Sequence, residues 1–155
     1  MKMTITQFLQ ATLISGIGDI VCAGGHYHAF SLIAQGIELL GACLDELPIH
    51  HKGSSCKRFR AAIQELFPTE YHAFNDKGNP FDLYSNLRCG LLHVVLPKNN
   101  LELIQRAELG NFPEGHLGFG HQRGNKRLIL VSEDFYGDFE QACSHPQNWG
   151  RGIGP

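Results

Sequence analysis

The sequence lacks the cysteine spacings of zinc fingers and of disulfide frameworks. Its five cysteines are an odd number, and none belongs to a Cys-x-x-Cys pair. This pattern predicts free thiols in a reducing cytoplasm. No apolar run approaches the roughly 20 residues that cross a bilayer, so we expect no membrane partner. Residues 1–25 begin like a signal peptide, but Gln7, Gln10 and Asp19 interrupt the apolar stretch, which favours a cytoplasmic protein over an exported one.

The sequence also lacks an excess of positive charge. Its formal net charge is −2, which excludes a protein coated with cations for general nucleic-acid binding. A ribonuclease whose basic groups are confined to a cleft remains compatible with this charge. Internal repeats and heptad arrays are absent, and 155 residues predict one domain, 1–155.

Apolar spacing predicts a mainly α fold. We expect an up-and-down bundle of four or five helices, with a helical core over about 4–97. The first helix, from residue 4, should weaken or end at Gly16 and Gly18, with a short continuation open over residues 17–21 before the break at Gly24 and Gly25. The second spans residues 26–46, where Gly36 and Gly41 predict close approach of another helix, within the chain or across a dimer. The third begins at Ser54 or Ser55, and the last covers about 132–143.

A small β-structure is predicted between the fourth and the last helix. Residues 101–104 and 128–131 are apolar and short, as strands are. The polar, glycine-rich stretch between them predicts the long tip of a β-hairpin over about 101–131.

The fourth helix, predicted over residues 79–97, has clear start and stop signals. Asn79 can cap it, and Pro80 and Asp82 suit a first turn. Pro97 should end it. An apolar stripe follows helical spacing: Phe81, Tyr84, Leu87, Leu91 and Val94.

Arg88 and His93 are polar residues in this otherwise apolar helix. The segment around them, LYSNLRCGLLH, resembles the tyrosine-containing Arg-x4-His motif of the HEPN superfamily. The upstream segment LIAQGIELLGACLD resembles the long helix that precedes the motif in such proteins. The resemblance covers roughly residues 26–97. Cys89 follows the arginine where the active family members often carry a polar residue.

The resemblance implies a metal-independent endoribonuclease that works as a homodimer, without a cofactor. A toxin-like or defence role, an RNA or nucleotide ligand and an antitoxin partner belong to the same implication. His93 would move protons, and Arg88 would stabilise the phosphorane. Five residues of α-helix separate the two side chains by about 140°, so they converge if Arg88 reaches round or if two subunits share a site.

Three further residues are candidates for supporting or substrate-binding roles: Asp82, Tyr84 and Asn86. Asn86 could orient His93 or a phosphate, with Gly90 leaving room between them, and Tyr84 could hydrogen-bond Arg88 or a ligand. Each also suits ordinary packing. Arg88 itself could pair with Glu38 or Asp82 in a purely structural role.

Other basic residues leave alternatives open. Lys57, Arg58 and Arg60 could contact phosphates near Arg88 or simply be solvated. The predicted tip carries His121, Arg123, Lys126 and Arg127, which could contact a phosphate backbone or form a plain loop. The nine histidines show no helical HExxH spacing, and we predict no metal. The alternative function is a non-catalytic helical module that binds a nucleotide or a protein.

Overall fold

The structure is a computed structural model that describes residues 3–94, 96–98 and 100–145. Helix α1 spans Ile5–Cys22 and includes a π-helical stretch, Leu9–Ser15. It begins with a capping box, in which Thr4 Oγ1 accepts the Gln7 N–H and the Gln7 side chain accepts the Thr4 N–H.

Of the two alternatives left open at Gly16 and Gly18, the structure has the continuation: α1 runs on to Cys22, and a distant aromatic residue packs against Gly18. A β-carbon on Gly18 would lie 2.7 Å from the Tyr136 hydroxyl oxygen, and this hydroxyl donates a hydrogen bond to the Ile14 carbonyl. The glycine therefore lets a neighbouring helix approach, and α1 continues through it.

Helix α2, His26–Leu44, is the central element. Its buried positions follow the predicted helical spacing, and six apolar side chains are fully inaccessible: Ala29, Phe30, Ile33, Ala34, Ile37 and Leu40. Helix α3, Ser55–Leu66, crosses α2 so closely that a β-carbon on Gly41 would meet the Arg58 carbonyl. Gly36 similarly faces the Phe139 ring. The close approaches predicted at both glycines are thus confirmed, and both occur within the chain.

A 3₁₀ turn over Thr69–Phe74 leads to helix α4, residues 83–94. The predicted start at Asn79 is wrong. Asn79 instead forms a turn, accepting the Phe81 N–H at 2.8 Å, and Asp82 accepts the Ser85 N–H in the manner of an N-cap. Within the stripe, Leu87 and Leu91 are buried, while the Val94 side chain lies outside the described part of the chain.

Three strands form one small sheet with the order β1-β3-β2: β1 Leu101–Ile104, β2 Phe119–Gln122 and β3 Asn125–Val131. Both predicted strands exist, but they pair in parallel, Leu101 opposite Leu128, instead of as a hairpin. The real hairpin is β2–β3, because Arg123 and Gly124 have positive φ angles and close a two-residue turn. Residues 105–118, which include a 3₁₀ turn over Arg106–Asn111, belong to the crossover that the parallel pairing needs.

Helix α5, Ser132–Cys143, follows β3 directly and agrees with the predicted last helix. Its Phe135 and Phe139 are fully buried; they pack against α2, and Phe135 also contacts the 3₁₀ turn over Thr69–Phe74. The mainly α class is confirmed. By length and composition alone, α1 and α2 could each cross a membrane. Of the apolar segment of each helix, 28% in α1 and 56% in α2 is buried inside the molecule. Core helices and signal sequences pass the same criterion.

Candidate functional site

Arg88 lies at the end of a π turn, Tyr84–Arg88, in which the Cys89 N–H donates to the Tyr84 carbonyl five residues earlier. Its Nε and Nη2 donate to Glu38 Oε2 at 3.1 and 2.8 Å, and Nη2 lies 3.4 Å from Ser55 Oγ. Burial lowers the pKa of Arg88, but hydrogen bonding and charge attraction from Glu38 outweigh it, so the pKa is raised. The side chain keeps 18% of its surface exposed. Arg88 is therefore a paired cation at the edge of solvent.

The Tyr84 ring lies between two guanidinium groups. The Cζ atoms of Arg88 and Arg60 are 5.5 and 5.9 Å from its centroid, and Phe59 meets it edge-on at 5.6 Å. These are cation–π contacts. Burial is the main cause of the raised pKa of the Tyr84 hydroxyl. Tyr84 thus interacts with Arg88 through its ring face, whereas the sequence suggested a hydrogen bond.

Asp82 and Asn86 hold the start of α4. The buried carboxylate of Asp82 accepts hydrogen bonds from Arg60 Nη1 and Nη2, at 2.8 and 2.9 Å. Asn86 is 5% exposed, and its Nδ2 donates to the carbonyls of Pro80 and Asp82. The room expected at Gly90 is filled, because a β-carbon there would lie 2.8 Å from the Leu96 carbonyl oxygen. The side chains of Asp82 and Asn86 are therefore engaged at the start of α4 and do not orient His93.

The side chain of His93 is exposed and forms no hydrogen bond with any residue that the structure describes. The hydrogen bonds of Arg88 go to Glu38 and Ser55, so within one chain the structure does not bring Arg88 and His93 together. Leu96, three positions further along, is a large apolar side chain with 61% of its surface exposed.

The three basic residues at the start of α3 have different environments. Arg58 is 4% exposed, pairs with Asp45 at 2.7 Å, and donates to carbonyls of the loop before α3, those of Leu47, Pro48 and Ile49. Arg60 pairs with Asp82, and Lys57 is exposed. The expectation that Arg58 is solvated or contacts phosphate is therefore wrong. No local pattern predicts these pairs, since the partners of Arg58 and Arg60 lie 13 and 22 residues away.

A second polar cluster, which the sequence did not reveal, joins three parts of the chain. The Tyr71 hydroxyl donates to Asp138 Oδ2 at 2.6 Å and lies 2.7 Å from His116 Nε2. Since His116 Nδ1 accepts the Val131 N–H at 2.9 Å, the ring is the neutral tautomer with its proton on Nε2. Burial lowers the pKa of His116 despite the opposing influence of Asp138 and Asp134. This chain of bonds fastens the crossover to α5.

Across the described parts of the chain, no group of three or more His, Cys, Asp or Glu side chains could hold a metal ion. All five cysteines are free thiols, from the exposed Cys22 to the buried Cys143.

Comparisons with protein-family models, with curated proteins and with solved structures each returned no match. The resemblance to the HEPN superfamily therefore rests on the residues around Arg88 and His93 and on the preceding helix.

Proposed function

We propose that this chain is a HEPN-like, metal-independent endoribonuclease that acts as a homodimer. The observation that carries the proposal is the exposed imidazole of His93, which has no partner within the described residues and lies five positions after a partly exposed Arg88. The proposal includes the four- or five-helix up-and-down bundle of that superfamily, a cytoplasmic location, and a toxin-like or defence role with an antitoxin as partner.

The chemistry needs a proton carrier and a fixed positive charge. Cleavage without metal begins when the 2′-hydroxyl loses its proton and attacks the adjacent phosphate, and it ends when the departing 5′-oxygen gains a proton. Histidine titrates near neutrality and suits either transfer. Arginine stays charged and can donate to two phosphate oxygens, which stabilises the negative charge of the phosphorane.

A site shared by two chains would bring the two groups together. Arg88 and His93 have separate surroundings in one chain, but two α4 helices packed against each other could present the arginine of one to the histidine of the other. The exposed Leu96 beside His93 provides apolar surface for such a contact. The π turn that ends at Arg88 adds support, since single π turns occur frequently at functional sites.

The test is cleavage of a single-stranded RNA in EDTA by the purified protein. We expect products with 2′,3′-cyclic phosphate ends, and we expect His93→Ala to abolish them. Because His93 is exposed and unbonded within the described residues, this substitution should leave the melting temperature unchanged. His50→Ala, at another exposed histidine, is the matched control and should cleave like the wild type. A folded wild type that produces no cleavage would refute the proposal.

One observation favours a second candidate, a non-catalytic module that binds a nucleotide or a protein. The charge of Arg88 is already matched by Glu38, and Ser55 also lies beside it. If this pairing is purely structural, Arg88→Ala should lower the melting temperature substantially, and the wild type should bind ligand without cleaving RNA.

A further inference from the structure

The β2–β3 hairpin is a locally basic segment of a chain that is slightly acidic as a whole. Residues 115–131 contain Arg123, Lys126 and Arg127 and no carboxylate, although the whole chain has a net charge of −2. Arg127 is paired with Glu102 at 2.9 Å. Arg123 and Lys126 are exposed and have no ion pair with a described residue. Two cations are therefore available at the hairpin tip.

The register of the hairpin places these groups next to aromatic rings. His121 lies opposite Lys126, and Phe119 lies two residues before His121, so all three share one face. The Lys126 ammonium is 4.0 Å from the centroid of Phe119 and 5.8 Å from that of Phe81, and the two rings meet edge-on at 4.9 Å. Both rings are partly exposed. We call Phe81, Phe119, His121, Arg123 and Lys126 the hairpin patch.

Cations interleaved with accessible aromatic rings suit single-stranded nucleic acid. Phosphates attract the cations, and bases of any identity can stack on the rings. A nucleotide whose phosphate meets Lys126 has its base within reach of Phe81 and Phe119. We propose that the hairpin patch binds single-stranded RNA and holds it for the Arg88–His93 site; this role in cleavage rests on the proposed function.

The connection between the patch and α4 supports a shared substrate. Phe81 lies two residues before α4, the helix that carries Arg88. Asn100 joins the sheet to this point, because its side chain donates to the Pro80 carbonyl and its own carbonyl accepts the Leu128 N–H. RNA that lies across the patch would therefore continue along the start of α4.

The test is fluorescence anisotropy of a labelled 2′-O-methyl oligouridylate, which cannot undergo attack by its 2′-oxygen, measured over a range of salt concentrations. The key variant is Arg123→Asn with Lys126→Gln, since asparagine tolerates the positive φ at position 123. Losing two contacts to single-stranded phosphates should lower the slope of log affinity against log salt by about 1.4, at about 0.7 for each. Phe119→Leu should weaken binding through lost stacking.

Two matched controls identify the face that binds. Lys52→Gln removes an exposed lysine elsewhere, and Phe112→Leu changes a partly buried ring that packs beside Gly120 on the other face of the hairpin. Both should bind like the wild type. Unchanged affinity and slope in the double variant would overturn the proposal, and so would a double variant that loses binding only to vesicles containing phosphatidylglycerol.

The outcomes separate this inference from the proposed function. A wild type that binds through the patch but leaves natural RNA intact would end the ribonuclease proposal and keep the binding surface. A wild type that cleaves RNA, together with a double variant of unchanged affinity, would end the proposal of the hairpin patch and keep the ribonuclease proposal.

Discussion

Arg60 and Arg88 approach the same Tyr84 ring, and each pairs with a carboxylate from another part of the chain. The two pairs differ in burial. The Asp82 side chain is 1% exposed, whereas the Glu38 side chain is 25% exposed. A carboxylate sealed from water depends on its cation far more than one that water can reach. We therefore infer that Arg60 mainly stabilises the fold, whereas Arg88 lies at the edge of solvent, where a ligand could contact it.

Replacing Arg60 should be much more damaging than replacing a surface arginine. Arg60→Gln leaves the buried Asp82 carboxylate without its cation, and we expect unfolding free energy to fall by about 3 kcal/mol. Arg106→Gln is the control: this arginine is 58% exposed and pairs with a 37% exposed Asp134, so its loss should be less than about 1 kcal/mol. Urea denaturation measures both values. Equal losses in the two variants would contradict this ranking.

The Tyr71–His116–Asp138 cluster should make stability depend on pH. Burial lowers the pKa of His116 in the folded state, so the unfolded chain takes up a proton at a higher pH than the native one does. The contribution of neutral His116 is therefore complete above its ordinary pKa of about 6.5 and is lost as the pH falls through the lower folded value. Protonating Nδ1 would also break the bond from the Val131 N–H.

Urea midpoints of the wild type should decline from pH 7.5 to pH 5, and His116→Gln should be less stable at pH 7.5 but show a shallower decline. His50→Ala, at an exposed histidine, controls for the other titrating groups. A decline of the same steepness in His116→Gln would show that another group is responsible.

At the scale of elements, the sequence predicts correctly those helices and strands whose positions depend on neighbouring residues. The last helix was predicted well because Phe135, Phe139 and Ala142 follow helical spacing and are all fully buried. The start of α4 was misplaced because its cap, Asp82, is held by Arg60 from another helix. The parallel pairing of β1 with β3 was missed because Phe119–Gln122 has no apolar alternation, and its role as a strand depends on the turn at Arg123 and Gly124.

The candidate site was predictable only in part. Arg88 and Glu38 were both named from the sequence, and they do pair. The π turn at Tyr84–Arg88 could not be predicted from apolar spacing, which assumes a regular α-helix. The Tyr71–His116–Asp138 cluster depends on packing of segments far apart in the sequence, and no local pattern marks it.

Two glycines in helices should respond to alanine in opposite directions. At Gly41 a methyl group would collide with the backbone of Arg58, so Gly41→Ala should lower the unfolding free energy by about 3 kcal/mol or more. At Gly137 nothing lies within 4 Å of the new β-carbon, so Gly137→Ala should raise it by up to about 1 kcal/mol through helix propensity. Thermal or urea unfolding distinguishes them. An unchanged unfolding free energy in Gly41→Ala would contradict the close packing of α2 against α3 at this point.

At the scale of the whole molecule, charge is segregated while the net value stays near zero. The cations of α3 and α4 are largely paired internally, and the unpaired ones among the described residues include Arg123 and Lys126 at the hairpin tip. A small negative net charge is therefore compatible with local binding of a polyanion. The two members of the proposed catalytic pair do not meet within one chain, so the proposed catalytic site requires a second copy.

Mixing two inactive variants tests that dependence most directly. Arg88→Ala and His93→Ala should each fail to cleave RNA in EDTA. If the sites are shared between chains, an equal mixture that has exchanged subunits should recover about a quarter of wild-type activity, because half of the dimers are mixed and each restores one of two sites. A mixture that stays inactive after subunit exchange, or either variant cleaving on its own, would contradict the shared Arg88–His93 site.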